Sequence, residues 1–305
     1  MMMELATDQP LDLAASLESG QSHRWERDGD WFSGVLEGAF IKMRQDADGR
    51  VEYLCDSHPQ SWVEPLLRRY FRLDDDLPAI YSEIKADPRV AEMVDRYPGL
   101  RILRIEPWEC VISFICSANS NIPRIHQNME ALATNFGDRV FIYSGHDNNG
   151  QNLTQSRHAF PTPAQLGEAG EAELRRLGLG FRAPYVDKTT RMVLDGRLDL
   201  DHLVNLPYLE AKSSLMECPG IGPKVADCIA VFSLDKLEAF PIDVWIRRAL
   251  GEWYFAGEKP PPDRVMLEWA QNHFGRYGGY AQQYLFHGMR LRKKVKDVEP
   301  EPITG

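Results

Sequence analysis

No run of apolar residues in this chain is long enough to cross a bilayer, and no charged-apolar-small leader opens it, which argues against a membrane or exported protein. Cysteine is scarce. The five residues Cys55, Cys110, Cys116, Cys218 and Cys228 are odd in number and scattered without paired spacing, so reduced thiols are expected rather than a disulfide framework. They do not form the close pairs that hold zinc, and the four-cysteine run of an iron–sulfur cluster is missing. No metal site is expected. Positive charge is short as well: the formal net charge of −10 speaks against a lysine-covered surface for a polyanion. Internal repeats and low-complexity domains are absent, and 305 residues suffice for one large or two moderate domains with an ample core.

What is present begins with short apolar runs at 31–36, 39–43 and 51–54, separated by Glu37-Gly38 and by Asp46-Ala47-Asp48-Gly49, which read as strands of an antiparallel sheet. From Ser61 the period changes. Segments 62–70, 77–86 and 90–97 read as helices, and the chain is expected to stay helical to about Arg292, with proline-rich breaks at 159–163 and 259–262. The boundaries that follow are a sheet domain at 1–104, a helical domain at 105–294 and a flexible tail at 295–305.

Pro219, Gly220, Ile221, Gly222 and Pro223 interrupt a helical pattern that begins near Tyr208 and resumes at Lys224, because glycine permits left-handed backbone and proline suits a first helical turn. Helix, tight turn, helix is the reading. Amides left free at the start of the second helix make an anion site that fits a phosphate, although the glycines alone favour an ordinary helical hairpin. Lys224 sits beside those amides, where it is either a solvated lysine or an activated amine. Asp243 precedes the periodic stretch 244–250 and is a helix N-cap, a position that also fixes a carboxylate for stabilising positive charge.

Hairpin, lysine and downstream aspartate resemble the helix-hairpin-helix DNA glycosylases, and within them the 8-oxoguanine DNA glycosylases. The likeness covers most of the chain. Ser19-Gly-Gln-Ser-His-Arg-Trp25 resembles the family's N-terminal pocket strand, the segment 116–125 its orphaned-base segment, 177–185 its wedge loop, 224–229 its nucleophile helix and 280–286 its C-terminal pocket helix. The resemblance implies an α+β fold: an N-terminal antiparallel sheet domain, then a mainly α-helical glycosylase domain. It also implies a bifunctional enzyme that flips 8-oxoguanine out of a pair with cytosine. Lys224 would attack the sugar to form a Schiff base, Asp243 would stabilise the cationic sugar, and an AP lyase step by β-elimination would follow.

The same resemblance assigns a base pocket to Gly20, Cys228, Gln282 and Phe286. One fixed carbonyl at Gly20 would reward the N7–H of the lesion and repel the N7 acceptor of normal guanine, while Phe286 and Cys228 would face the two sides of the base and Gln282 its Watson–Crick edge. Read alone, Gly20 is equally a plain turn glycine or a point of close approach to a base, and Cys228 and Phe286 are more often core residues. Phe181 would wedge into the vacated stack, and Asn119, Arg124 and Arg182 would read the widowed cytosine; by themselves they are a helix cap and two surface arginines.

Gly220, Gly222, Trp245 and Arg247 are the expected phosphate contacts. Trp245 departs from the family's pattern in animals, where a histidine stands, so Arg247 or Arg248 is expected to substitute; Pro223 likewise replaces a threonine. Local basic character is expected from Arg247, Arg248, Arg290, Arg292, Lys293 and Lys294, with modest non-specific binding and a shallow salt slope. No cofactor is expected beyond a monovalent cation that the hairpin carbonyls of this fold can hold. The expected partner is double-stranded DNA containing oxidised guanine, bound by a monomer in the cytoplasm with the nucleoid, or in the nucleus of a eukaryote. A monofunctional alkylated-base glycosylase would not need Lys224, and a non-catalytic DNA-binding module would need neither Lys224 nor Asp243.

Overall fold

A computed structural model describes residues 2–146, 152–256 and 259–296. Near the N-terminus, β1 (Met3–Leu5), β2 (Glu26–Asp28), β3 (Trp31–Leu36), β4 (Ala39–Gln45) and β5 (Val51–Leu54) form one antiparallel sheet in the order β1-β5-β4-β3-β2. The β3–β4 turn explains its own register. Glu37 and Gly38 both take positive φ, 47° and 82°, the geometry whose twist matches flanking strands, and Leu36 pairs with Ala39 across it. Ala39, Ile41, Met43, Val51 and Tyr53 are buried in the core beneath the sheet. The three expected strands are all present, and β1 and β2 add to them. β2 reads Glu-Arg-Asp, with all three residues on the surface, so its strand character comes from pairing with β3 and not from its own pattern.

Helices Gln60–Tyr70, Leu77–Ile84 and Pro88–Arg96 match the period change, the last two capped by Asp76 and Asp87. One expectation fails beyond this point: the helical domain carries an antiparallel hairpin, β6 (Arg139–His146) paired with β7 (Asn152–His158). Ile142 is buried while Arg139, Phe141 and Tyr143 face solvent, a period of two rather than 3.6. Arg157 on β7 binds Glu130 at 2.8 Å and the Ser33 carbonyl at 2.9 Å, fastening the hairpin to the first sheet.

The long helix Gly278–Lys296 returns to the N-terminal region. Tyr284 donates to the Leu100 carbonyl at 2.9 Å, Gln283 to Ser19 at 3.3 Å and Arg290 to Glu18 at 2.5 Å. This helix runs two residues past the expected end of the helical domain, and the rest of the expected tail lies outside the described residues. Among the described residues, no helix is long and apolar enough to cross a membrane.

Candidate active site

Helices Tyr208–Met216 and Pro223–Ser233 are the two arms of the hairpin. Gly220 turns between them with φ 85°, and a Cβ there would lie 2.6 Å from the Tyr185 ring, so both the backbone angle and the close approach require glycine. Gly222 is the N-cap, extended and without a side-chain cap bond, and Pro223 takes a first-turn position. The leading amides of the second helix therefore have no side-chain partner and are free for an anion. Asp227 braces the arms: it accepts from Tyr208 Oη at 2.6 Å and from Lys212 Nζ at 2.9 Å.

The braced helix presents Lys224 and, one turn on, Cys228 to a cleft of about 1340 Å³. Lys224 Nζ lies 5.6 Å from the centre of the Phe114 ring, which gives its charge an aromatic face to rest on. Asp243 lines the same cleft as N-cap of helix Val244–Trp253, accepting from the amides of Trp245 at 3.0 Å and Ile246 at 2.8 Å. Burial raises its pKa above the ordinary carboxylate value, against the Ile246 amide and Lys224, which lower it. The acid limb of base release, where it reports ionisation of Asp243, is accordingly expected at a higher pH than an unperturbed carboxylate would give. Single-turnover rates measured between pH 3 and pH 8 check this, with the Asp243→Asn variant losing that limb.

Gly20, Cys228, Gln282 and Phe286 stand on the wall of the same cleft. Gly20 has φ 82°, and a Cβ on it would come within 2.9 Å of Ile122, 3.2 Å of Arg290 and 3.6 Å of Phe286. Gln282 and Phe286 are one turn apart on the last helix, and Gln282 Oε1 is buried without a hydrogen-bond partner. Burial pushes the Cys228 thiol up to about 11 while Lys224 pulls it down, so it presents a neutral, polarisable face. Three separated segments of sequence thus converge on one cleft, where Phe286 and Cys228 supply apolar surface and Gln282 a polar group. The described residues contain no group of three or more metal-ligating His, Cys, Asp or Glu side chains.

The 8-oxoguanine DNA glycosylase N-terminal domain model matches residues 4–111, and that of the HhH-GPD superfamily of base excision DNA repair proteins matches 112–272. The N-glycosylase/DNA lyase OGG1 of Arabidopsis thaliana is 33% identical over 92% of this chain and 78% of its own length. The N-glycosylase/DNA lyase of Saccharomyces cerevisiae is 30% identical over 97% of this chain and 86% of its own. The chain belongs to the 8-oxoguanine DNA glycosylase family. Among solved structures, the Clostridium acetobutylicum 8-oxoguanine glycosylase/lyase, in complex with double-stranded DNA containing cytosine opposite 8-oxoG, superposes with a TM-score of 0.84. It is 29% identical, covering 96% of this chain and 98% of that one.

Other expected residues of this glycosylase gather at a second place. Arg182 is buried and gives Nε and Nη2 to the Ala118 carbonyl at 2.9 and 2.6 Å, with Nη2 also 2.9 Å from that of Asn119. Arg124 donates to the Gly178 carbonyl at 2.8 Å. These bonds lock the turn at 117–121 to the turn at 178–182, leaving Asn119 exposed at φ 47° and Phe181 47% exposed between Arg182 and Tyr185. Because Tyr185 also packs on Gly220, the exposed phenylalanine is mechanically tied to the hairpin.

The expected phosphate contacts divide. Gly220 and Gly222 stand at the hairpin, and Trp245 lines the cleft with Arg248 stacked 5.5 Å from its ring. Arg247 instead pairs with Asp263. Arg292 pairs with Glu252 at 3.2 Å, so the late basic cluster is partly neutralised within the protein. A further contributor escaped the residue-by-residue reading. Gln21 is buried, donates to the Arg101 carbonyl and Ser19 Oγ, each at 2.8 Å, and accepts from the Leu103 amide at 2.9 Å. It clamps the bend that carries Gly20; only its place in the segment 19–25 signalled this.

Proposed function

We propose that this glycosylase excises 8-oxoguanine paired with cytosine from double-stranded DNA and then nicks the abasic strand, acting as a monomer through Lys224. The reading is carried by the convergence of Lys224 and Asp243 with the slot of Gly20, Cys228, Gln282 and Phe286 on one cleft. It is supported by relatives named N-glycosylase/DNA lyase.

In this mechanism Phe181 fills the gap left in the stack as the damaged nucleotide turns into the cleft, and the hairpin amides hold a flanking phosphate. Once it has given up its proton, the Lys224 amine attacks C1′ as the bond to N9 breaks, and the base departs with the bonding electron pair and acquires a proton. Asp243 stabilises the positive charge that develops on the sugar. Opening of the sugar ring gives an iminium linkage between Lys224 and C1′. Loss of a C2′ proton then expels the 3′ phosphate by β-elimination, and hydrolysis frees the lysine. Asn119, Arg124 and Arg182, on or beside the two turns that their hydrogen bonds join, read the widowed cytosine.

Labelled duplexes containing 8-oxoguanine opposite cytosine, 8-oxoguanine opposite adenine, an alkylated adenine or an abasic site test this reading. Fast release from the cytosine pair, slow release from the adenine pair and cleavage of the abasic strand are expected. Preferred release of alkylated adenine without strand cleavage would favour the monofunctional alternative.

A further inference from the structure

His23 is three residues beyond Gly20 on the cleft wall and only 6% exposed, yet its Nδ1 is buried without a hydrogen-bond partner. The ring is well fixed. It meets Phe114 edge-to-face at 5.9 Å and 83°, and Phe114 in turn stacks on Phe232 at 5.6 Å and underlies Lys224. The His23 carbonyl accepts from His126 Nδ1 at 2.8 Å, which pins the backbone. Packing alone would be served by phenylalanine, which fills this volume without an unmet polar atom. A buried polar group with no partner in the protein is rare and calls for an explanation, and on a ligand-cleft wall a ligand is the natural one.

We propose that His23 is a further base-pocket residue, whose ring nitrogen hydrogen-bonds the extruded base and adds to recognition of the lesion. This rests on the excision reading above. Burial, then the charges of Lys224 and His126, lower its pKa to about 3, so the ring stays neutral beside the nucleophile. A neutral imidazole has one N–H and one lone pair, a combination suited to the edge of a base, and being uncharged it does not act as a rival cation next to Lys224. The contact is to the base and not to the sugar, so it matters before base release and not after.

The test compares His23→Phe, which keeps the ring and its edge-to-face packing, with His23→Asn, whose amide restores a polar atom near Nδ1. Full-length protein is assayed under single turnover on the 8-oxoguanine:cytosine duplex and, separately, on a duplex that already contains an abasic site. His23→Phe is expected to lose about tenfold in base release or lesion affinity, with abasic cleavage unchanged within about twofold and His23→Asn recovering most of the loss. Undiminished lesion excision by His23→Phe overturns the proposal. So does a parallel loss on abasic DNA, which would place the effect on Lys224 or on folding, and so does a His23→Asn variant no better than His23→Phe. Wild-type turnover on the lesion reports separately on the excision reading itself.

Discussion

Lys224→Gln is expected to remain folded and lesion-binding while base release and borohydride-trappable complex both fall by on the order of a thousandfold or more. The protein loses little in stability, because the lysine is half-buried and its contact with Phe114 is worth about 0.5–1 kcal/mol. Among the described residues that line the cleft, Lys224 is the one lysine, and Lys212, the other lysine of the hairpin arms, is committed to Asp227 and Tyr208. Single-turnover excision and melting temperature, measured on one preparation, check both halves. Trapping undiminished from wild type would remove Lys224 from the chemistry.

Asp243→Asn is likewise expected to separate stability from rate. Asparagine still accepts from the Trp245 and Ile246 amides, so the helix cap survives. The raised pKa means that folding disfavours the ionised carboxylate; a neutral residue removes that cost at neutral pH, and the variant should be no less stable than wild type. Base release should nevertheless drop by about two to three orders of magnitude, because the cationic sugar loses its counter-charge. Melting temperature and single-turnover rate, compared at pH 7, check this; equal rates would refute the electrostatic role.

The hairpin and its neighbours were legible because their signals are local. Gly220 needs positive φ, Pro223 suits a first turn, and Asp243 is a cap whatever else it does. Gly38 announces its turn in the same way. The β6–β7 hairpin was missed although Val140, Phe141, Ile142 and Tyr143 alternate inward and outward, because the helical pattern on either side was carried across it. The exposed β2 has no signal of its own. The residues that hold the pocket in place, Gln21, Asp227 and Arg182, draw their meaning from partners 80, 15–19 and 63–64 positions away, and spacing along the chain does not reveal such contacts. Arg247 shows the converse: a free cation by sequence, it is paired with Asp263 in the fold.

The central claim is that the amine of Lys224 forms the bond to C1′. Borohydride reduction of the wild-type protein on an 8-oxoguanine:cytosine duplex, followed by proteolysis and mass mapping of the adduct, tests it directly. The account predicts a reduced sugar adduct on the peptide containing Lys224 and on no other amine. An adduct on a different lysine, or base release with no adduct at all, would contradict it.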